Sequence, residues 1–172
     1  FKAFFGYYKN SKRREIALLE INNKYLEENK VNVLEEYGVV GYPKVLIRIY
    51  EDQERRRLYD VIEPPLDDIS SKVYKELMEI VSKDIDLSRK LSEKKMLEEG
   101  IDILLPIAKN LASKKLVKGF HFRKDGKLKD LQKRIDDIAL TSSYYVSRDL
   151  IGYAKLEPLI RDPYIEDISC NG

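Results

Sequence analysis

Cysteine and histidine, the side chains most often found at metal and nucleophilic sites, are almost missing: Cys170 and His121 are the single examples in 172 residues. One cysteine excludes an intrachain disulfide and a cysteine-rich zinc site. One histidine leaves any histidine-based triad a single possible base and denies a metal its usual imidazole cluster. No stretch approaches the roughly 18 to 20 apolar residues that span a bilayer. The first residues, FKAFFGYYKN, lack a signal peptide's long apolar run and small-residue cleavage site. The single cysteine points to a reducing, cytoplasmic setting, and because no methionine opens the chain we expect a piece of a longer protein. Glycine-rich phosphate loops are missing too: neither GxxxxGK(S/T) nor GxGxxG after a strand occurs. Without such a turn at a helix N-terminus there is no cradle for a triphosphate, so we expect no catalytic residue, metal or cofactor in this chain.

What is present is charge of both signs. Lysine and arginine number 32 against 30 acidic residues, and the net charge of +2 gives no global pull toward nucleic acid or anionic membrane. At 36% charged and 43% hydrophobic the composition is that of a folded chain whose helices carry heavily charged outer faces. Acidic neighbours such as Asp67 with Asp68, Glu98 with Glu99 and Asp136 with Asp137 do not share a helix face, and read as solvated surface rather than acid–base pairs. The basic run Lys114, Lys115, Lys118, Arg123, Lys124, Lys127, Lys129, Lys133 and Arg134 flanks Phe120, His121 and Phe122. It is a candidate phosphate-binding patch, centred on Lys114, Lys115, Arg123, Lys124 and Lys127. It supports the alternative reading of a nucleic-acid-binding or scaffolding domain, although Asp125 and Asp130 interrupt it.

The periodicity predicts an α+β fold, mainly helical with a small antiparallel hairpin or three-stranded sheet. Ser11 can cap a helix over 11–30, with Leu18, Leu19, Tyr25 and Leu26 on one side. KVLIRIY alternates, with Val45, Ile47 and Ile49 on a more buried face. EDQE makes a turn, and RRRLYDVIEP returns as a second strand ended by Pro64 and Pro65. A hairpin alone is marginal, so a third strand is expected near 36–40. Leu66, Ile69, Val73, Leu77 and Ile80 then mark a helix reaching about Ser82, with Asp67 and Asp68 in its first turn. Residues 86–99 and 101–115 read as a further helix or a pair, with Gly100 between them as a break or local weak point and Pro106 as a kink or the start of a new helix near Leu105. Leu128, Leu131, Ile135, Ile138, Ser142, Tyr145 and Asp149 trace one long helix over about 127–150, ended by Gly152. A short helix over 155–161, a stop at Asp162-Pro163 and a short strand over 164–169 complete the chain. Asn171-Gly172 writes a hairpin turn with no return strand.

Arg148-Asp149, Gly152-Tyr153, Pro158-Leu159, Asp162-Pro163, Ile165 to Ile168 and Asn171-Gly172 follow in order within thirty residues. That phrase resembles the start of the second N-terminal domain of secretion-superfamily ATPases, which include type II and type IV secretion, type IV pilus and archaellum motors, and is closest to their archaeal branch. Residues 37–66, with Pro43 before a strand and then LYDVIEPPL, resemble the first N-terminal domain of the same proteins. Two departures stand out: Ala154, where glycine is more frequent, and Glu157, where aspartate is usual. The resemblance implies a first N-terminal domain over 1–143 and the incomplete start of a second α/β domain over 144–172. It further implies a noncatalytic region of a hexameric motor whose absent RecA-like domain binds Mg-ATP. Such a region would sit in the cytoplasm at the inner face of the membrane, docked on a platform protein or other assembly components. Arg148, Asp149, Arg161, Asp162, Glu166 and Asp167 are then the candidate inter-domain or inter-subunit contacts.

Overall fold

The computed structural model describes residues 32–39, 44–117 and 127–169, which form an α+β fold. The helix expected over 11–30, the glycine and proline punctuation at 41–43, the loop around His121, Cys170 and the Asn171-Gly172 turn lie outside the described residues. Two compact units, 1–63 and 64–172, make up the chain.

The first unit holds an antiparallel sheet in the order β1 (Asn32–Gly38), β2 (Leu46–Glu51) and β3 (Arg57–Ile62). The third strand is β1, paired with β2 and broken in register between Val33 and Glu35. Asp52 shapes the β2–β3 turn by accepting the Glu54 and Arg56 N–H groups, both at 2.9 Å. Alternation places Val45 and Ile47 in the core as expected. It does not account for Arg48, on the opposite face and only 2% exposed. Glu36, Arg48 and Asp60 lie directly across from one another on the three strands. Arg48 satisfies its charge on Glu36, with Nε and Nη2 at 2.7 and 2.6 Å from the same carboxylate oxygen.

The second unit is helical. α1 (Asp68–Lys83) is capped by Asp67, whose Oδ1 accepts the Ser70 N–H at 2.8 Å. Asp84 joins α1 to α2 (Ile85–Ser92): its N–H donates to the Ile80 carbonyl, and its carboxylate accepts the Leu87 N–H. α3 (Leu97–Val117) and α4 (Lys127–Leu150) follow. Val73 and Leu77 of α1, Leu91 of α2, Leu104 and Ala108 of α3, and Ile138 and Val146 of α4 meet in one apolar core. Burial of such side chains, worth about 1.5–3 kcal/mol each, is what holds charged-faced helices together.

Two sequence expectations are corrected here. The helix break falls at 93–96, not at Gly100, and α3 runs unbroken through both Gly100 and Pro106. Gly100 serves an interhelical contact, since a Cβ there would lie 2.2 Å from Ile151 Cδ1 and 2.8 Å from Ser147 Oγ. Pro106 removes one helical N–H, but Leu104 and Ala108 on either side are fully buried, and that packing carries the helix through. The second correction is at 164–169, which forms no strand. After a 3-10 turn (Ala154–Leu156) and the short α5 (Glu157–Ile160), the chain turns at Asp162 and runs on without a ladder partner among the described residues. A boundary between residues 143 and 144 falls inside α4, whereas the compact units divide between Glu63 and Pro64. No helix among the described residues is long and apolar enough to cross a membrane.

Candidate functional site

The second half of α4 reads TSSYYVSRDL, and its hydroxyls and charges are largely buried rather than solvated. Ser142 donates to the Ser70 carbonyl of α1 at 2.9 Å, a bond that requires the two helices to approach closely. Small side chains permit that approach. The hydroxyls of Ser143 and Ser147 are buried without a partner among the described residues, and Ser147 packs on Gly100.

One turn further on, aromatic and charged groups link three segments. Tyr145 donates to the Pro64 carbonyl at 2.7 Å, pinning the entry to α1. The Arg148 guanidinium stacks 4.7 Å above the Tyr145 ring and bonds Asp149 through Nε at 2.9 Å and Nη2 at 2.8 Å. Tyr74 of α1 donates to the other Asp149 oxygen at 3.0 Å. Burial, then the hydrogen bond to Asp149 and its negative charge, push the Tyr74 hydroxyl above its ordinary value against the opposing pull of Arg148. Each lobe of the Asp149 carboxylate is therefore occupied. The group is a brace between α1 and α4.

Beyond α4 the chain folds back on a second carboxylate. Glu157 is 1% exposed, accepts the Tyr153 N–H at 2.8 Å and bonds Arg161 Nε at 3.1 Å. Gly152 leaves room for it, because a Cβ there would lie 2.8 Å from that carboxylate and 2.9 Å from the Arg148 carbonyl oxygen. Asp162, also buried, accepts the Tyr164 N–H at 2.9 Å, while its carbonyl accepts the Ile165 N–H. This side-chain bond to its own backbone two residues on is what makes Asp162-Pro163 a turn.

Of the six charged residues singled out in this segment, Arg148 and Asp149 form one pair, Arg161 binds Glu157, and Asp162 holds a turn; Glu166 and Asp167 are exposed. The basic patch is only partly assembled. Lys115 is tied to Glu76, Lys114 is exposed, and the backbone of Lys127 opens α4. Arg123 and Lys124 lie outside the described residues. No group of three or more His, Cys, Asp or Glu suited to a metal ion occurs among the described residues. Sequence reasoning missed Tyr74, the Pro64 carbonyl and the Arg48–Glu36 pair. Only tertiary contact distinguishes these from ordinary surface groups.

The same segment exposes apolar side chains at intervals of three or four residues: Leu150, Tyr153, Leu156, Ile160, Tyr164 and Ile168 are each 41–73% exposed. Two proteins of Methanocaldococcus jannaschii are similar to this chain. Over 165 residues, 95% of the chain, it is 26% identical to the uncharacterized protein MJ1288. Over 141 residues, 77% of the chain, it is 33% identical to the uncharacterized protein MJ0900. The chain spans 58% and 24% of the lengths of these two relatives. No family model matches it, and no solved structure does.

Proposed function

We propose that this chain is the noncatalytic N-terminal region of an archaeal-type secretion-superfamily motor, and that it docks the motor to a membrane platform or to other assembly proteins. The observation that carries this reading is the apolar series from Leu150 to Ile168, displayed on a backbone that buried Glu157 and Asp162 hold in place. Exposed apolar side chains so spaced favour contact with another protein surface. The ordered phrase from Arg148 to Ile168 supports the family, since Gly152, Asp162 and Arg161 within it each have a structural task. Mg-ATP belongs to the catalytic domain of the parent motor, and the chain works on the cytoplasmic side through its partners. Capture by the cytoplasmic loops of the cognate platform protein tests docking, with the intact motor as positive control. Tyr153→Asp with Leu156→Asp should abolish capture; no capture of the unaltered chain alongside a positive control overturns the assignment. Purified chain should hydrolyse no ATP, and turnover that survives repurification would sink the noncatalytic reading.

A further inference from the structure

β1 is an edge strand. Its ladder partner among the described residues is β2 alone, and every residue from Asn32 to Gly38 except Tyr37 is exposed. The phase of the ladder decides which backbone groups of β1 face outward. The Val39 N–H donates to the Val45 carbonyl at 3.1 Å, which makes these two a hydrogen-bonded pair that continues the register of Gly38 on Leu46 and Tyr37 on Ile47. Such pairs alternate along an antiparallel ladder, so Tyr37 and Glu35 also bond β2, whereas the N–H and C=O groups of Glu36 and Gly38 point away from it. Those outward groups have no partner among the described residues.

Two further features make this edge receptive. Gly38 lies outside the left-handed region, and a Cβ on it would meet nothing among the described residues nearer than the Val45 carbonyl oxygen, 4.0 Å away. The packing described does not call for a glycine there, whereas close approach of another backbone does. Glu36 takes both Arg48 contacts on Oε2, so its Oε1 has no partner among the described residues, and the exposed Glu35 beside it is paired with no cation there. Exposed Val33 and Leu34 lie at the bulge that ends the straight stretch. Open main-chain groups, uncompensated carboxylate oxygens and neighbouring apolar side chains are the complement of an extended, basic strand.

We propose that the outer edge of β1, from Glu35 to Gly38, binds an extended segment of another protein that carries two adjacent basic residues flanked by apolar ones. The incoming strand lies antiparallel to β1 and exchanges main-chain bonds with Glu36 and Gly38. Its two basic side chains fall on opposite faces of the sheet, one reaching Glu35 and the other Glu36 Oε1, as the side chains of adjacent strand residues must. This surface belongs to the first unit and is independent of the apolar series at 150–168.

Titration of the isotope-labelled full chain with the acetylated, amidated peptide TVTKRVT at low salt, followed residue by residue by NMR, tests this. At saturation the Glu36 and Gly38 amides should exchange at least about tenfold more slowly, while that of Tyr37, already bonded to β2, stays unchanged. Neither the acidic analogue TVTEEVT nor the proline analogue TPTKRPT should bind. Gly38→Pro takes away an outward N–H that β2 does not use and should weaken binding about tenfold. Glu35→Lys leaves every β1 backbone group in place and should weaken it about three- to tenfold, so it decides the matter even where Gly38→Pro disturbs the sheet. No binding at millimolar TVTKRVT, binding that leaves the Glu36 and Gly38 amides unprotected, or equal binding of the proline analogue overturns the proposal. So does a dimer of the chain in which those two amides are already protected, because the edge is then taken by a second copy.

Discussion

A methyl group added at Gly100 would have to displace Ile151 Cδ1, 2.2 Å away, and the Ser147 hydroxyl, 2.8 Å away. Alanine favours a helix over glycine by roughly 1 kcal/mol, but overpacking a buried helix crossing costs about 1–3 kcal/mol. The second effect wins, and Gly100→Ala should destabilise the protein by about 1 kcal/mol net, seen as a lowered urea midpoint. An unchanged or raised midpoint would show that Ile151 moves aside freely. The glycine was plain in the sequence, yet its role was inverted there: it reads as a helix breaker, and it is where one helix admits another. Ala154 and Glu157 were legible in the opposite sense, as departures from a resemblance. The structure attaches a physical consequence to each: a left-handed φ for the alanine and a buried, fully engaged carboxylate for the glutamate.

Helix ends and braces set the stability of individual elements. Burial alone would raise the Asp67 carboxyl, but the Ser70 N–H and hydroxyl, with the Arg134 charge, outweigh it and leave the group below the usual range. Its contribution is therefore complete above the unfolded value of about 4 and is lost as pH falls through the lower folded value. Asp67→Ala should cost about 1 kcal/mol at neutral pH. Asp67→Asn should keep the cap and flatten the acid limb of a melting-temperature profile; an unaltered acid limb would count against the role. Tyr74 has the opposite sign. Its raised folded value means that the stabilisation is complete below about pH 10 and lost as pH rises through the folded value. Tyr74→Phe should cost about 1 kcal/mol below that range and lose less on alkaline titration than the unaltered protein. Equal alkaline slopes for the two would refute the Asp149 brace. α1 and α4 were readable from apolar spacing and cap residues. The gap at 93–96 was not, because Glu93 to Met96 carry no glycine, proline, asparagine or aspartate to mark a turn.

The core of the second unit draws its buried apolar residues from positions 73 to 146, all within Pro64–Gly172. That self-sufficiency predicts that residues 64–172 expressed alone melt cooperatively with a strongly helical circular dichroism signal. A broad, non-cooperative melt would show that the helices need the sheet unit to fold. The candidate site was half legible at this scale. Arg148, Asp149, Arg161 and Asp162 were picked out as charged residues in an ordered phrase, but as contact residues awaiting a partner. The structure engages all four within the chain: Asp149 with Tyr74 across two helices, Arg161 with a glutamate. Left facing solvent are Glu166 and Asp167 together with the apolar series from Leu150 to Ile168.

Composition and periodicity by themselves determined the α+β class, the sheet and the long helices, because period-two and period-3.6 apolar patterns are local properties of the chain. They also excluded a phosphate loop and any site that needs several histidines or cysteines. Tertiary structure alone decided that Arg48 is buried, that Gly100 belongs inside a helix and that 164–169 is not a strand. Each of these depends on a neighbour distant in sequence, or on the absence of one, and no local pattern encodes that neighbour.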